Sequence, residues 1–179
     1  MTRADHASGT DRVAEVASTL EFDPQSVVVN VQGDEPLLPP EVIQQLGQCL
    51  VADAQIGAAT LATPSNNEAL AADPNVVKVV RSNTGRALYF SRQHIPYYRQ
   101  REAAGKWLRH IGVYGYRVSV LRDFCTSPRS SLEVAESLEQ LRLLAHDVPL
   151  LVLDACAKVP QGVDTMEDLE RVRRQLASG

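Results

Sequence analysis

A chain of 179 residues that is 44% hydrophobic and 22% charged has an ordinary globular composition and is long enough to bury one core. Its net charge of −4 is mild, and no apolar run approaches the roughly 20 residues of a membrane span, so a membrane partner is not expected. Cys49, Cys125 and Cys156 are far apart and form no CxxC pair, which argues against a zinc ribbon and for a soluble protein of the reducing cytoplasm; the polar start, Met1 to His6, reads as no signal peptide.

The first element is a helix capped by Thr10 and Asp11 that runs through Val13, Val16 and Ala17 to Leu20. The β-branched run at 26–31 then reads as a strand buried on both faces, and it stops at Gln32-Gly33-Asp34-Glu35-Pro36. Pro39-Pro40 opens a helix with Val42, Ile43, Leu46, Cys49 and Leu50 on one side, and a strand over 56–61 follows. Segments 76–80 and 87–90 flank Ser82-Asn83-Thr84-Gly85, which favours a hairpin and makes the sheet mixed. The stretch 97–106 is polar, basic and aperiodic, hence an exposed loop. Residues 111–117 form a strand interrupted by Gly112 and Gly115. Ser130 and Glu133 make a capping box for a helix with Leu132, Ala135, Leu138, Leu141 and Ala145 inward, and solvent exposure is expected for Glu136, Glu139, Gln140 and Arg142. A strand at 150–153 and a final helix boxed by Thr165 and Asp168 complete the chain. Alternating helices and strands predict one layered α/β domain over 1–179, a mostly parallel sheet with helices on both faces.

Three places could carry chemistry. Asp34 follows a buried strand, where open α/β sheets bind ligands; it is a metal-ligand candidate, or it bonds its own turn. Gly33 would permit a close backbone approach. Asp164 stands in a second turn, Gly162-Val163-Asp164-Thr165, before a helix, and either caps that helix or joins Asp34 in holding Mg²⁺, a cation that takes hard oxygen ligands. At 110–116 the two-residue period puts His110, Gly112, Tyr114 and Tyr116 on one face, either as satisfied core groups or as a ligand wall. Ten of the eighteen basic residues lie between Lys78 and Arg122 with one acid, Glu102. Such a block attracts anions, but no basic and aromatic recognition motif accompanies it, so nucleic acid is not the expected partner. The absence of a nucleophile elbow, HExxH or GxGxxG argues against serine hydrolases, zincins and dinucleotide dehydrogenases.

Six stretches in order, 2–12, 29–36, 87–92, 110–117, 138–142 and 162–165, resemble the 3-deoxy-manno-octulosonate (Kdo) cytidylyltransferases, the CMP-Kdo synthetases. The resemblance spans essentially the whole chain. It implies a Rossmann-like nucleotidyltransferase fold and transfer of CMP from CTP to Kdo, with release of pyrophosphate, for lipopolysaccharide synthesis. By the same resemblance Asp34 and Asp164 are catalytic and hold Mg²⁺, while Arg3, Ser8, Gln32, His110, Tyr114, Glu139 and Gln140 line the sugar-acid side. It further implies a cytoplasmic homodimer, with a dimerisation or flap region around 92–110.

Met166 and Ser131 stand where the family commonly has Pro, a small loss of preorganisation. Family members also carry, upstream of the motif at 2–6, a strand and a Gly/Arg/Lys loop that grips the CTP phosphates. The expectation is therefore a truncated fold lacking its N-terminal βαβ portion and inactive alone. A sugar-acid-binding or dimerising fragment, or a cytidylyltransferase for a related sugar acid, is the alternative.

Overall fold

The computed structural model describes residues 1–6, 8–100, 105–163 and 165–177. Strand β5, Trp107–Arg117, organises it, because three other strands pair with β5. Along one edge runs β2, Ala58–Ser65, antiparallel to it. The opposite edge is shared: β1, Val27–Val31, pairs with residues 113–117, and β3, Lys78–Arg81, pairs with residues 108–109. β1 and β3 thus follow one another along β5, with 110–112 between them.

β4, Ala87–Ser91, pairs antiparallel with β3, and β6, Leu150–Asp154, pairs parallel with β2. The sheet is mixed, as expected, and β1, β2, β3 and β6 all point one way. With β5 reversed in their midst, however, parallel pairing among the described strands is confined to β2 and β6. The hairpin of β3 and β4 closes at Ser82 to Arg86, with Gly85 at φ 83°, a left-handed conformation that glycine adopts without strain.

Helices cover both faces. α2, Pro40–Ala52, lays Val42, Leu46 and Leu50 on Ala59, Leu61, Ile111 and Val113. Gly115 makes this possible, since a Cβ there would stand 2.5 Å from Leu50 Cδ1. The other face is covered by α1, Gly9–Thr19, α4, Val118–Thr126, α5, Ser131–Glu136, and α6, Leu141–Ala145; there Ala17, Leu121, Phe124 and Leu141 pack over Ala58, Ala62, Phe90 and Val152. A short α3, Glu68–Ala72, and the terminal α7, Met166–Ala177, complete the order. No helix among the described residues is long and apolar enough to cross a membrane.

Several local readings change. The cap of α1 is Ser8, whose hydroxyl accepts from Asp11 N–H at 3.1 Å; Thr10 lies inside the helix and is buried. β1 is half-buried rather than enclosed, because β5 is its one strand partner among the described residues. The helix expected over 130–145 is two short helices, broken where Ser137 takes φ 52°. Its inward face also differs: Leu132 and Ala135 are exposed, while Glu133, Gln140 and Arg142 are buried. The Ser130 half of the capping box forms, at 3.1 Å to Glu133 N–H, but the Glu133 carboxylate turns to Arg142, at 2.5 and 2.8 Å. Arg142 also donates to the Phe124 carbonyl and lies over its ring, so charge and hydrogen bonding replace the expected apolar stripe.

Candidate active site

Where β1 hands the edge of β5 over to β3, a crevice of about 390 Å³ opens. The chain leaves this edge of β5 at Gln32 and regains it at Val77, whose carbonyl accepts from His110 N–H at 2.9 Å. Gln32, Asp34, His110, Tyr114, Glu139 and Gln140 all line this crevice, so the structure brings together six of the expected residues from three parts of the chain. Arg3 does not line it: its exposed guanidinium stands 3.8 Å from Asp5. Ser8 caps α1 beside the crevice instead of lining it. Asp164 lies outside the described residues.

One wall is β5 with the helices behind it. His110 Nε2 is 3.0 Å from Thr60 Oγ1, and the His110 ring meets Phe90 edge-on at 5.0 Å and Tyr114 at 5.4 Å. Tyr114 stacks on Tyr116 at 5.8 Å, which continues the ladder along the face that the period of two predicts. Burial, with Arg109 nearby, lowers the His110 pKa to about 3, so the ring is uncharged at neutral pH. Burial likewise raises both tyrosines. The break between α5 and α6 delivers Glu139 and Gln140 to the crevice. Burial raises the Glu139 carboxyl, an effect that the hydroxyls of Thr10 and Ser8 oppose.

The other wall is made of turns. Val163 N–H donates to the Asp34 carbonyl at 2.8 Å, which sets the turn preceding Asp164 against the turn holding Asp34. Gly162 is the residue that permits it: a Cβ there would lie 2.9 Å from the Asp34 carbonyl oxygen. Gly33, by contrast, has nothing within 4 Å, so the close approach expected of it belongs to Gly162. Arg171 of α7 fastens this turn through the carbonyls of Gln161, at 3.3 Å, and Gly162, at 3.0 Å. The exposed Asp34 carboxylate has no hydrogen bond or ion pair among the described residues. It does not stabilise its own turn, and an exposed carboxylate that no described side chain or N–H occupies suits a hard cation. Among the described residues no three acidic, histidine or cysteine side chains cluster as a metal site.

Sequence reasoning did not place Arg92, Arg109, Glu35 or Thr10 in the site, yet they also line the crevice. Arg92 fixes the rim: it donates to the carbonyls of Pro74, at 2.8 Å, and Glu136, at 2.7 Å. Glu136, expected to be exposed, is half-buried and accepts from Ser91 Oγ at 2.7 Å and Arg92 N–H at 2.9 Å. Burial would raise its pKa, but these donors outweigh burial and lower it. Arg109 donates to the Val159 carbonyl at 2.6 Å, and burial lowers its pKa against the pull of Glu35. The basic block was the signal that a cation belonged here; which arginines line the crevice depends on the distant carbonyls that hold them.

A family model described as cytidylyltransferase matches residues 1–150. The chain belongs to the cytidylyltransferase family. Within the family it is 49% identical to the 3-deoxy-manno-octulosonate cytidylyltransferase of Alcanivorax borkumensis, over 98% of this chain and 73% of that protein. It is 51% identical to the protein of the same name in Hahella chejuensis, over 99% of this chain and 72% of that one. A solved CMP:2-keto-3-deoxy-manno-octonic acid synthetase complexed with CTP superimposes with a TM-score of 0.90 at 43% identity, covering 99% of this chain and 71% of that one. The 4-diphosphocytidyl-2C-methyl-D-erythritol synthase of Anaerococcus prevotii, at 13% identity and a TM-score of 0.56, shares the fold.

Proposed function

We propose that this cytidylyltransferase transfers CMP from CTP to Kdo, the anomeric hydroxyl forming a bond to the α-phosphorus while the bond to pyrophosphate breaks, as a step towards lipopolysaccharide. The observation that supports it most is the convergence of Gln32, His110, Tyr114, Glu139 and Gln140 with Asp34 in one crevice. Neutral donors and acceptors on the β5 wall suit the hydroxyls of a sugar acid. Arg92 and Arg109 supply positive charge for its carboxylate and for phosphate oxygens, and Arg3 and Ser8 belong to the same side in this reading.

Asp34 and Asp164 would hold Mg²⁺, which when bound neutralises phosphate charge and helps orient the attacking hydroxyl. The same reading makes the protein a cytoplasmic homodimer. The free cysteines accord with the compartment, and exposed Leu88 and Tyr97, in and beyond the edge strand β4, accord with an interface near 92–110.

The test is pyrophosphate release by the whole protein given CTP, Kdo and Mg²⁺. Release that requires all three supports the reading. Release with a sialic acid in place of Kdo, and none with Kdo, moves the substrate to a related sugar acid. Calorimetry separates a transferase from a sugar-acid-binding module, which takes Kdo and leaves CTP.

A further inference from the structure

We propose that Thr60 is a positioning residue that holds His110 as its Nε2–H tautomer, so that Nδ1 meets the ligand as a bare acceptor for a hydroxyl of the sugar acid. The identity of that ligand rests on the function proposed above; the tautomer does not.

Counting protons around Thr60 fixes the tautomer. Thr60 Oγ1 lies 2.8 Å from the Val113 carbonyl and 3.2 Å from the Ile111 carbonyl. Both oxygens can only accept. They belong to a bulge in β5, where Thr60 pairs with Tyr114 but Leu61 pairs with Ile111, and the single hydroxyl fills the gap that this step leaves in the ladder. The hydroxyl has one proton, which goes to these carbonyls, so its oxygen is left to accept. His110 Nε2, 3.0 Å away, is therefore the donor.

An uncharged imidazole has one N–H, and burial keeps His110 uncharged at neutral pH. Nδ1 thus carries a lone pair and has no partner among the described residues, in a ring that lines the crevice. Phe90 and Tyr114 hold the plane of that ring. The consequence is selective. A bare ring nitrogen accepts from a hydroxyl and repels a carboxylate, so this point of the crevice reads the polyol part of the ligand and turns its acid group towards the arginines.

Two measurements test this. Ring-nitrogen NMR of the whole protein at pH 7 is expected to show His110 as the Nε2–H tautomer; a signal from Nδ1–H or from imidazolium would overturn the proposal, whatever the substrate proves to be. Thr60→Val removes the hydroxyl at nearly constant volume, and Thr60→Ser retains it. The serine variant is expected to keep the tautomer and to bind Kdo within about twofold of the parent. The valine variant is expected to show mixed tautomers and roughly tenfold weaker Kdo binding by calorimetry, with CTP affinity moved less than about twofold. Equal Kdo affinity in all three proteins would sink the positioning role. Should the valine variant not fold, the parent and serine spectra still decide. A parent protein that shows the Nε2–H tautomer and binds no Kdo would instead count against the proposed function.

Discussion

The β5 wall of the crevice is buried and hydrogen-bonded from behind, whereas the wall made by the turns at 32–36 and 161–163 is more exposed and held largely through its backbone. On the first wall, Thr60, Phe90 and Tyr114 fix the His110 ring before any ligand arrives. On the second, the bond from Val163 to Asp34 fixes the main chain, while the Asp34 carboxylate finds no protein partner among the described residues. Preorganised neutral groups can recognise a polyol at little reorganisation cost. An exposed carboxylate without a protein partner is best completed by a cation that arrives with its own waters. In the proposed reading, the wall built into the core serves recognition and the exposed wall serves the cation.

The largest effect expected from breaking this division is at Asp34. Asp34→Asn is expected to lower kcat by roughly a thousandfold, the equivalent of several kcal/mol of lost charge stabilisation, with a change in stability within about 0.5 kcal/mol because the side chain is exposed. Pyrophosphate release and a urea melt report the two numbers, and turnover within about tenfold of the parent would remove Asp34 from the charged wall.

The next effect falls behind the recognition wall. Arg142→Met leaves the buried Glu133 with only the exposed Arg129, 3.7 Å away, and is expected to cost about 3 kcal/mol in urea unfolding. Replacing both, with Glu133→Leu, should recover much of that loss, and a single-variant cost below about 1 kcal/mol would contradict a buried pair.

A smaller, pH-dependent effect distinguishes two groups on the same wall. His110 has a folded pKa of about 3 against an ordinary 6.5, so below 6.5 the unfolded chain takes up a proton that the native ring refuses. Its contribution makes stability fall as pH drops from 6.5 towards 3 and is flat above. Glu139, raised by burial, acts in the opposite sense: the stability it adds is present at low pH and is lost as pH rises through its raised value. Melts across pH 4–8 of the parent, His110→Gln and Glu139→Gln should show the two slopes removed separately; an unchanged profile in His110→Gln would place that ring in water.

The smallest effect lies away from both walls. Arg173 and Glu170 form a 2.6 Å pair with both side chains more than half exposed, and Arg173→Ala should shift stability by no more than about 0.5 kcal/mol.

Much of this architecture is legible in the chain because local chemistry and tertiary context agree there. α2 starts at Pro40 as its proline pair dictates, Gly85 closes the hairpin of β3 and β4, and Thr165 with Asp168 caps α7 in both directions, at 3.2 and 3.0 Å. Where they disagree, the sequence misleads. Ser131 to Ala145 has helical periodicity throughout, yet the buried pairing of Glu133 with Arg142 and the left-handed Ser137 break it in two. α4 went unread, although Val118, Leu121 and Phe124 sit on its buried side, because it starts directly after a strand at Arg117 without a capping side chain.

Candidate residues at strand ends, such as Asp34 and His110, could be found from period and position. Thr60 could not, since nothing around it in sequence marks the bulge that its hydroxyl fills from a strand fifty residues away. Arg92 and Arg109 were visible as charge but not as lining, because carbonyls distant in sequence orient them, those of Pro74 and Glu136 for Arg92 and that of Val159 for Arg109.

The shared strand also governs the order of events as the chain is made. β1, β2 and β3 all take β5 as a pairing partner, and β5 begins at Trp107, 76 residues after β1 ends at Val31. At roughly 5–20 residues per second on the ribosome, β1 waits on the order of 4–15 seconds without the strand it pairs with. Contacts this distant in sequence close slowly, and an apolar strand waiting alone is a template for any other open edge. The joining of β1, β2 and β3 is therefore gated by the arrival of one eleven-residue segment, and the same segment that carries His110 and Tyr114 into the crevice sets the earliest moment at which those three strands can join one sheet.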